Sequence, residues 1–264
     1  MTRLGMHVRL TTTVTDALQQ ALTADRTIVQ TFVMRTDGLY ASLSNEAMIA
    51  DLRARCQQLY IHLSYHVNLA NDTIDGMRLL RKELELADRI NATAVVLHPG
   101  AGSKGQSRQQ ALDTLMKNLD KALHEFPTIT ILLENAAHAN RALGGNLQEL
   151  LSLRTLTNYP ERLRFCLDTA HAFVWGYDLN AAFCTEVQQL FGDEALALIH
   201  WNDTQQQRGS NIDQHAAPGT GTIGLEKLLH FAKSQQEVTL ICENPLMPLQ
   251  EERELLHELD SLLQ

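Results

Sequence analysis

Apolar residues fall in short runs along this chain, separated by longer stretches in which they recur every three or four positions. The short runs are 4–8, 27–33, 58–62, 93–97, 129–133, 163–167, 196–200 and 238–242. They are often β-branched and bounded by polar or turn residues, so each is predicted to be a strand. Helices are predicted over 14–23, 44–57, 73–90, 105–125, 146–154, 179–190, 222–234 and 249–262. Within 73–90, Ile74, Met77, Leu80, Leu84 and Ala87 line up as one apolar face. Ser107 and Thr73 are expected to open their helices.

Eight strands and eight helices in strict alternation imply parallel strands joined by helical crossovers. In a chain of 264 residues this suits an α/β fold of the (β/α)8 TIM-barrel type, with a doubly wound open sheet as the alternative. No linker, low-complexity tract or charge block interrupts residues 1–264, so one domain is expected. The Gln-rich segment 204–214 reads as a long loop after the seventh strand.

The residues that end the apolar runs share one chemistry. His62 ends LYIH, His98 ends AVVLH, Glu134 ends TILLE, Asp168 ends RFCLD, His200 ends LALIH and Glu243 ends TLICE. They lie 36, 36, 34, 32 and 43 residues apart, and His7 closes the first run in the same way. In a barrel these positions crowd around the C-terminal mouth, where active sites of this fold are built. A lone polar residue at a strand end is an ordinary cap. Six in register, all imidazole or carboxylate, are the ligand types that zinc and similar divalent metals accept. His171, three residues after Asp168, and the Asp213–Gln214–His215 triplet add three donors. Five His and four carboxylates exceed the three or four ligands of a single zinc, which implies two or three metals with one carboxylate bridging.

These motifs resemble the endonuclease IV family of abasic-site endonucleases, within the xylose-isomerase-like TIM barrels. The resemblance rests on HLSYHVNLA at 62–70, HPG at 98–100, LEN at 133–135, CLDTAHAFVWGYDL at 166–179, IHWND at 199–203, IDQH at 212–215, GTGTIG at 219–224 and CENP at 242–245. It implies three Zn2+ per chain, with Mn2+ or Fe2+ able to replace some. His62, His98 and Glu134 would hold the first. Glu134 would bridge to the second, completed by Asp168, His200 and Glu243. His171, Asp213 and His215 would hold the third. The implied reaction is hydrolysis of the phosphodiester 5′ to an abasic site in double-stranded DNA, with 3′-end trimming as a further activity. Zinc makes a water-derived nucleophile available at neutral pH, and the third ion stabilises the departing 3′ oxygen. Glu134 is the expected catalytic residue, and His7, Tyr65, Asn135 and Arg208 are expected to touch substrate or orient ligands. Arg35, Lys104 and Arg108 are further candidates for DNA contact.

The chain departs from that family in its DNA-contacting loops. Gln214 stands where members usually carry Arg, Arg35 is the only basic residue of QTFVMRTDG at 30–38, and RLTTTVT at 9–15 replaces a serine- and glycine-rich opening. The chain also looks short for the family. Two other readings compete. GAGSKG at 100–105 and GTGTIG at 219–224 mimic a dinucleotide fingerprint, but the first follows the fourth strand and is entered through His98–Pro99. No nucleotide cofactor is therefore expected. A single-metal sugar isomerase or epimerase on the same barrel would use Glu134, Asp168, His200 and Glu243, and would have no need of the other five donors. A catalytically dead scaffold would have no reason to keep carboxylates packed together without metal.

Charge refines the picture. Twenty-two Lys and Arg against 31 Asp and Glu give a formal charge of −9. That excludes a broadly basic nucleic-acid binder. Three Zn2+ would bring the total to about −3 and concentrate the positive charge at the mouth. No run approaches a membrane span, no signal-peptide core opens the chain, and Cys56, Cys166, Cys184 and Cys242 form no CxxC pair. A monomer of the cytoplasm, nucleoid-associated when acting on DNA, with buried free thiols, is the expectation.

Overall fold

The computed structural model describes residues 3–35, 37–41, 43, 45–71, 74–138, 140–235 and 237–264. Thr73, expected to open the third helix, lies outside the described residues, as do residue 44 and the first two residues. In chain order the elements are β1 (Leu4–Val8), α1 (Val14–Thr23), β2 (Ile28–Phe32), α2 (Glu46–Arg55), β3 (Gln58–His62), α3 (Ile74–Arg89), β4 (Ala94–Leu97), α4 (Arg108–Glu125) and β5 (Ile131–Glu134). There follow α5 (Leu147–Leu156), β6 (Leu163–Asp168), α6 (Thr169–Trp175), α7 (Ala181–Ala195), β7 (Leu196–His200), β8 (Asp203–Thr204), β9 (His215–Ala216), α8 (Leu225–Ser234), β10 (Thr239–Cys242) and α9 (Leu249–Leu263).

Eight of the strands close a barrel in the order β1-β10-β7-β6-β5-β4-β3-β2, with every pairing parallel. This is the TIM barrel that the alternation implies. Helix starts are written locally: Thr13 and Asp16 form a capping box on α1, and Ser107 and Gln110 form one on α4. Outward-facing strand residues such as Val29, Leu59, Leu97, Leu133 and Leu167 pack with the helices in one continuous core. All four cysteines are buried and free. Among the described residues, no helix is long and apolar enough to cross a membrane.

Three details depart from the sequence expectations. First, α6 follows β6 without a break, because the Asp168 side chain accepts a hydrogen bond from the His171 amide at 2.8 Å and so caps a new helix. Second, the Gln-rich loop is tied at its base by antiparallel β8 and β9. Third, Ile74, expected on the buried face of α3, is 87% exposed at the helix start, while Leu80, Leu84 and Ala87 are buried. Glu83 on the same helix is also buried, and its carboxylate accepts from the Ser64 amide and hydroxyl at 2.8 and 2.6 Å.

Candidate metal centre

Inside the barrel, Ile28, Tyr60, Ala94, Val96, Leu132, Cys166, Leu198 and Ile241 form an apolar plug. Side chains alternate between the two faces of a strand, so the residue two places along points the same way. Two places beyond Tyr60, Val96, Leu132, Cys166, Leu198 and Ile241 stand His62, His98, Glu134, Asp168, His200 and Glu243. The plug dictates that these six converge above it, at the C-terminal mouth.

Glu134, fully buried, is the hub. Its Oε2 lies 3.2 Å from His62 Nε2 and 3.3 Å from His98 Nε2, while Oε1 lies 2.9 Å from His200 Nδ1. His200 Nδ1 is also 3.3 Å from Glu243 Oε2 and 3.9 Å from Asp168 Oδ2. A third cluster adjoins. Asp213 places Oδ2 3.3 Å from His171 Nε2 and Oδ1 3.2 Å from His215 Nε2, and His215 Nε2 is 3.4 Å from Asp168 Oδ2. The donor atoms of His62, His98 and Glu134 all lie within 4.8 Å of one another, as do those of Glu134, Asp168, His200 and Glu243, and those of Asp168, His171 and His215. All nine expected donors are thus brought together. Imidazole nitrogens and carboxylate oxygens face one another there, which is the donor chemistry that zinc, manganese or ferrous ions accept.

Backbone carbonyls orient two of the imidazoles. His62 Nδ1 donates to Leu63 O at 2.8 Å, and His171 Nδ1 donates to Asn135 O at 2.9 Å, which leaves each Nε2 facing the cluster. Asn135 itself clamps β6: its amide donates to Asp168 O at 3.0 Å and its carbonyl accepts from Asp168 N at 2.6 Å. Asn202 donates to Asp168 Oδ2 at 2.6 Å and to Glu243 Oε2 at 3.2 Å. Neither Asn202 nor Gln30, which donates to Glu243 Oε1 at 2.8 Å, stands out as a ligand type in the sequence. Gln30 shares the inward parity of Ile28, and that was the available signal.

The charges are mutually compensated. Burial opposes ionisation of Glu134, yet His98 and His200 beside it, with hydrogen bonds from His200 and His62, hold it well below the usual carboxylate range. Burial likewise works against Glu243, but His200, His7 and His215 bring it down to about 2. His171 is raised well above 6.5 against burial by Asp168 and Asp213, and His200 likewise by Cys166, Glu243 and Glu134. Asp168, Asp213 and Glu243 push His215 up to about 9, again against burial. Burial, helped by neighbouring imidazoles, outweighs Glu134 and takes His98 down to about 4, and it outweighs Glu243 and takes His7 down to about 3, so both are neutral at physiological pH.

Beside this centre lies a cavity of about 450 Å³ lined by His7, Arg9, Phe32, Met34, Arg35 and Tyr65, among others. Tyr65 is 70% exposed, and its ring stacks on His98 at 5.4 Å between centroids. Arg208, expected to meet substrate, is 3.6 Å from Asp178, which also pairs with Lys227. Arg108 makes two bonds to Glu149, at 2.6 and 2.8 Å.

Comparison with known proteins follows the same lines. Residues 20–264 match the family described as xylose isomerase-like TIM barrel. The probable endonuclease 4 of Thermotoga maritima is 32% identical over 200 residues, covering 72% of this chain and 69% of that one. The chain belongs to the endonuclease IV family. The probable endonuclease 4 of Chlorobium phaeovibrioides aligns over 98% of this chain and 100% of its own length at 27% identity. The crystal structure of endonuclease IV from Thermus thermophilus superposes with a TM-score of 0.85 at 26% identity, covering 99% of this chain and 98% of that one. The alignments span nearly the whole of the Chlorobium and Thermus proteins and about two thirds of the Thermotoga one. A D-tagatose 3-epimerase-like protein, with a TM-score of 0.75 at 20% identity, shares the fold.

Both glycine strings have internal uses. In GTGTIG, the buried Asp203 carboxylate accepts from the amides of Gly219, Gly221, Ile223 and Gly224 at 2.9–3.2 Å. A Cβ at Gly221 would lie 2.3 Å from Thr204 O. In GAGSKG, Gly100 has φ +89, and a Cβ there would meet Asn68 Oδ1 at 2.2 Å. The amides of Ala101, Gly102 and Ser103 donate to Asn68, Arg141 and Gln106 of the chain itself. Backbone amides already spent on the protein are not free to cradle a phosphate.

Proposed function

We propose that this protein is a zinc-dependent DNA-repair endonuclease that hydrolyses the phosphodiester 5′ to abasic sites. The observation that carries the reading is the sharing of Glu134 between two donor sets, with a third set alongside. His62, His98 and Glu134 would hold one ion. Glu134, Asp168, His200 and Glu243 would hold a second. His171, Asp213 and His215 would hold a third, and Asp168 adjoins this set as well as the second. Divalent ions bound there supply Lewis acidity toward a phosphoryl group and acidify water at neutral pH.

The chain's own residues prepare the site for that chemistry. Glu134 splits its oxygens between His62 with His98 on one side and His200 on the other, so one buried charge ties two sets together. Asn202 spans Asp168 and Glu243, which otherwise repel, and holds them at a fixed separation. Arg9 at the adjoining cavity offers positive charge to phosphates, while Arg35 beside it is paired with Asp37 at 2.8 Å, and Tyr65 offers an aromatic face to the damaged strand.

The decisive test is incubation with a duplex holding one abasic site, with an undamaged duplex as control, before and after chelation. Nicking at the abasic site alone, abolished by chelator and restored by zinc, is the expected result. About three zinc ions per chain should accompany it. Equal nicking of both duplexes, or nicking that survives chelation, overturns the reading. One ion per chain with ketose isomerisation would instead establish the single-metal sugar isomerase.

A further inference from the structure

Gln30 is a fully buried amide in the middle of β2, two residues on from the apolar plug. Its amide nitrogen lies 2.8 Å from Glu243 Oε1 and 2.9 Å from His7 Nδ1, and its carbonyl oxygen lies 2.9 Å from His200 Nε2. A carboxylate only accepts hydrogen bonds, so Glu243 selects the amide orientation: turned over, the amide would set two oxygens 2.8 Å apart. The carbonyl then faces His200 and takes the proton on Nε2. That leaves Nδ1 on the side of Glu134, 2.9 Å away, and Glu243, 3.3 Å away. The second amide hydrogen goes to His7 Nδ1, so the His7 ring carries its own proton on Nε2.

The need for a side chain here is visible by contrast. His62 and His171 face the cluster with Nε2 and have Nδ1 held by nearby backbone carbonyls. His200 is reversed, with Nδ1 inward, and its outer nitrogen points into the barrel toward another strand. We infer that Gln30 is a positioning residue that uses the charge of Glu243 to lock two tautomers, presenting His200 Nδ1 to the metal centre and a His7 N–H to the adjoining cavity. The His200 half rests on the metal reading above, whereas the His7 half does not.

Long-range 1H–15N spectra of the imidazole nitrogens, on wild type, Gln30→Met and Gln30→Glu, test this directly. In the wild type His7 is a single Nε2–H tautomer, with or without zinc. In Gln30→Met, which keeps the length and loses all polar atoms, His7 samples both tautomers. Affinity for one zinc, measured by chelator competition, falls there about 10- to 100-fold, while the other ions bind as before. Gln30→Glu shares one proton with Glu243, 2.8 Å away, so its single O–H is spent there; it keeps an acceptor for His200 but has no donor left for His7, which releases His7 and leaves the proton of His200 on Nε2. It carries the test should the Met variant fail to fold. A His7 tautomer and zinc affinity unchanged in both variants overturn the inference, even with the endonuclease reading intact. A wild type that binds no zinc, but whose His7 tautomer shifts in the variants, overturns the endonuclease reading and the His200 half while upholding the lock on His7.

Discussion

At the N-terminal end of the barrel, a cavity of about 690 Å³ is lined by Gln58, Tyr60, Thr93, Thr130, Arg164 and Lys233, among others. At the C-terminal end, the smaller cavity of about 450 Å³ borders the His and carboxylate cluster. At the first end Thr239 Oγ1 donates to Gln58 Oε1 at 2.9 Å, and Arg164 Nε donates to Glu194 O at 2.7 Å. Tyr60 is pushed up to about 12 by burial and stays neutral. At the second end each carboxylate faces several imidazoles, and no pair is closed on itself. Size therefore does not locate the chemistry. Convergence of buried, mutually dependent charges does, because it is costly without a ligand to complete it.

The sharpest way to break that contrast is at the hub. Glu134→Gln keeps the shape and removes the shared charge, so abasic-site nicking should fall on the order of 10³-fold, equivalent to several kcal/mol of barrier. A variant nicking at the wild-type rate would remove Glu134 from its role.

The second test uses pH. In the metal-free protein His215, at about 9, and His171 and His200, both well above 6.5, bind protons more tightly when folded. Such groups stabilise fully below the unfolded value near 6.5, and that stability is lost as pH rises through the folded values. The chelated protein should therefore lose Tm between pH 6.5 and 9, at roughly 2–4 °C per kcal/mol for a domain of this size. Zinc-loaded protein should show the opposite slope below neutrality, because ions must displace those protons. Calorimetry in buffers of different ionisation enthalpy should register proton release on zinc binding, and an absence of release would contradict the protonated imidazoles.

A smaller effect concerns the rim. Gln214, bonded to Gln206, stands between two donors. Gln214→Arg should tighten DNA binding several-fold and steepen the salt dependence of log K by about 0.9, the signature of one added phosphate contact. An unchanged slope would show that position 214 does not meet the backbone. The smallest effect belongs to the other end. Thr239→Val should cost about 0.5–1.5 kcal/mol of stability through the lost bond to Gln58 and leave nicking unchanged. A matching loss of activity would erase the distinction between the two ends.

Much of the barrel was legible because strands buried on both sides are written as short apolar runs, with polar residues only where the sheet stops. The runs ending at His62, Asp168 and His200 end there in the structure too. α6 was not legible, since TAHAFVW carries no separate periodic signal and its start depends on Asp168 turning back to the His171 amide. The exposure of Ile74 was equally hidden: helical spacing reports a face, but not how far along the helix the barrel reaches. The role of Gln30 was not legible because it sits in mid-strand, away from the strand ends where the charged donors stand, although its parity placed it among the inward residues.

The sequence by itself determined the alternation, the inward parity and which His and carboxylate side chains gather at the mouth, because these are local properties of spacing and side-chain chemistry. Only the tertiary structure decided which donors share a neighbour, which nitrogen each imidazole turns inward, and that Asp203 consumes the glycine-loop amides. Those outcomes rest on contacts between residues up to 213 positions apart, as between Gln30 and Glu243, and closing the barrel is what brings them within a hydrogen bond.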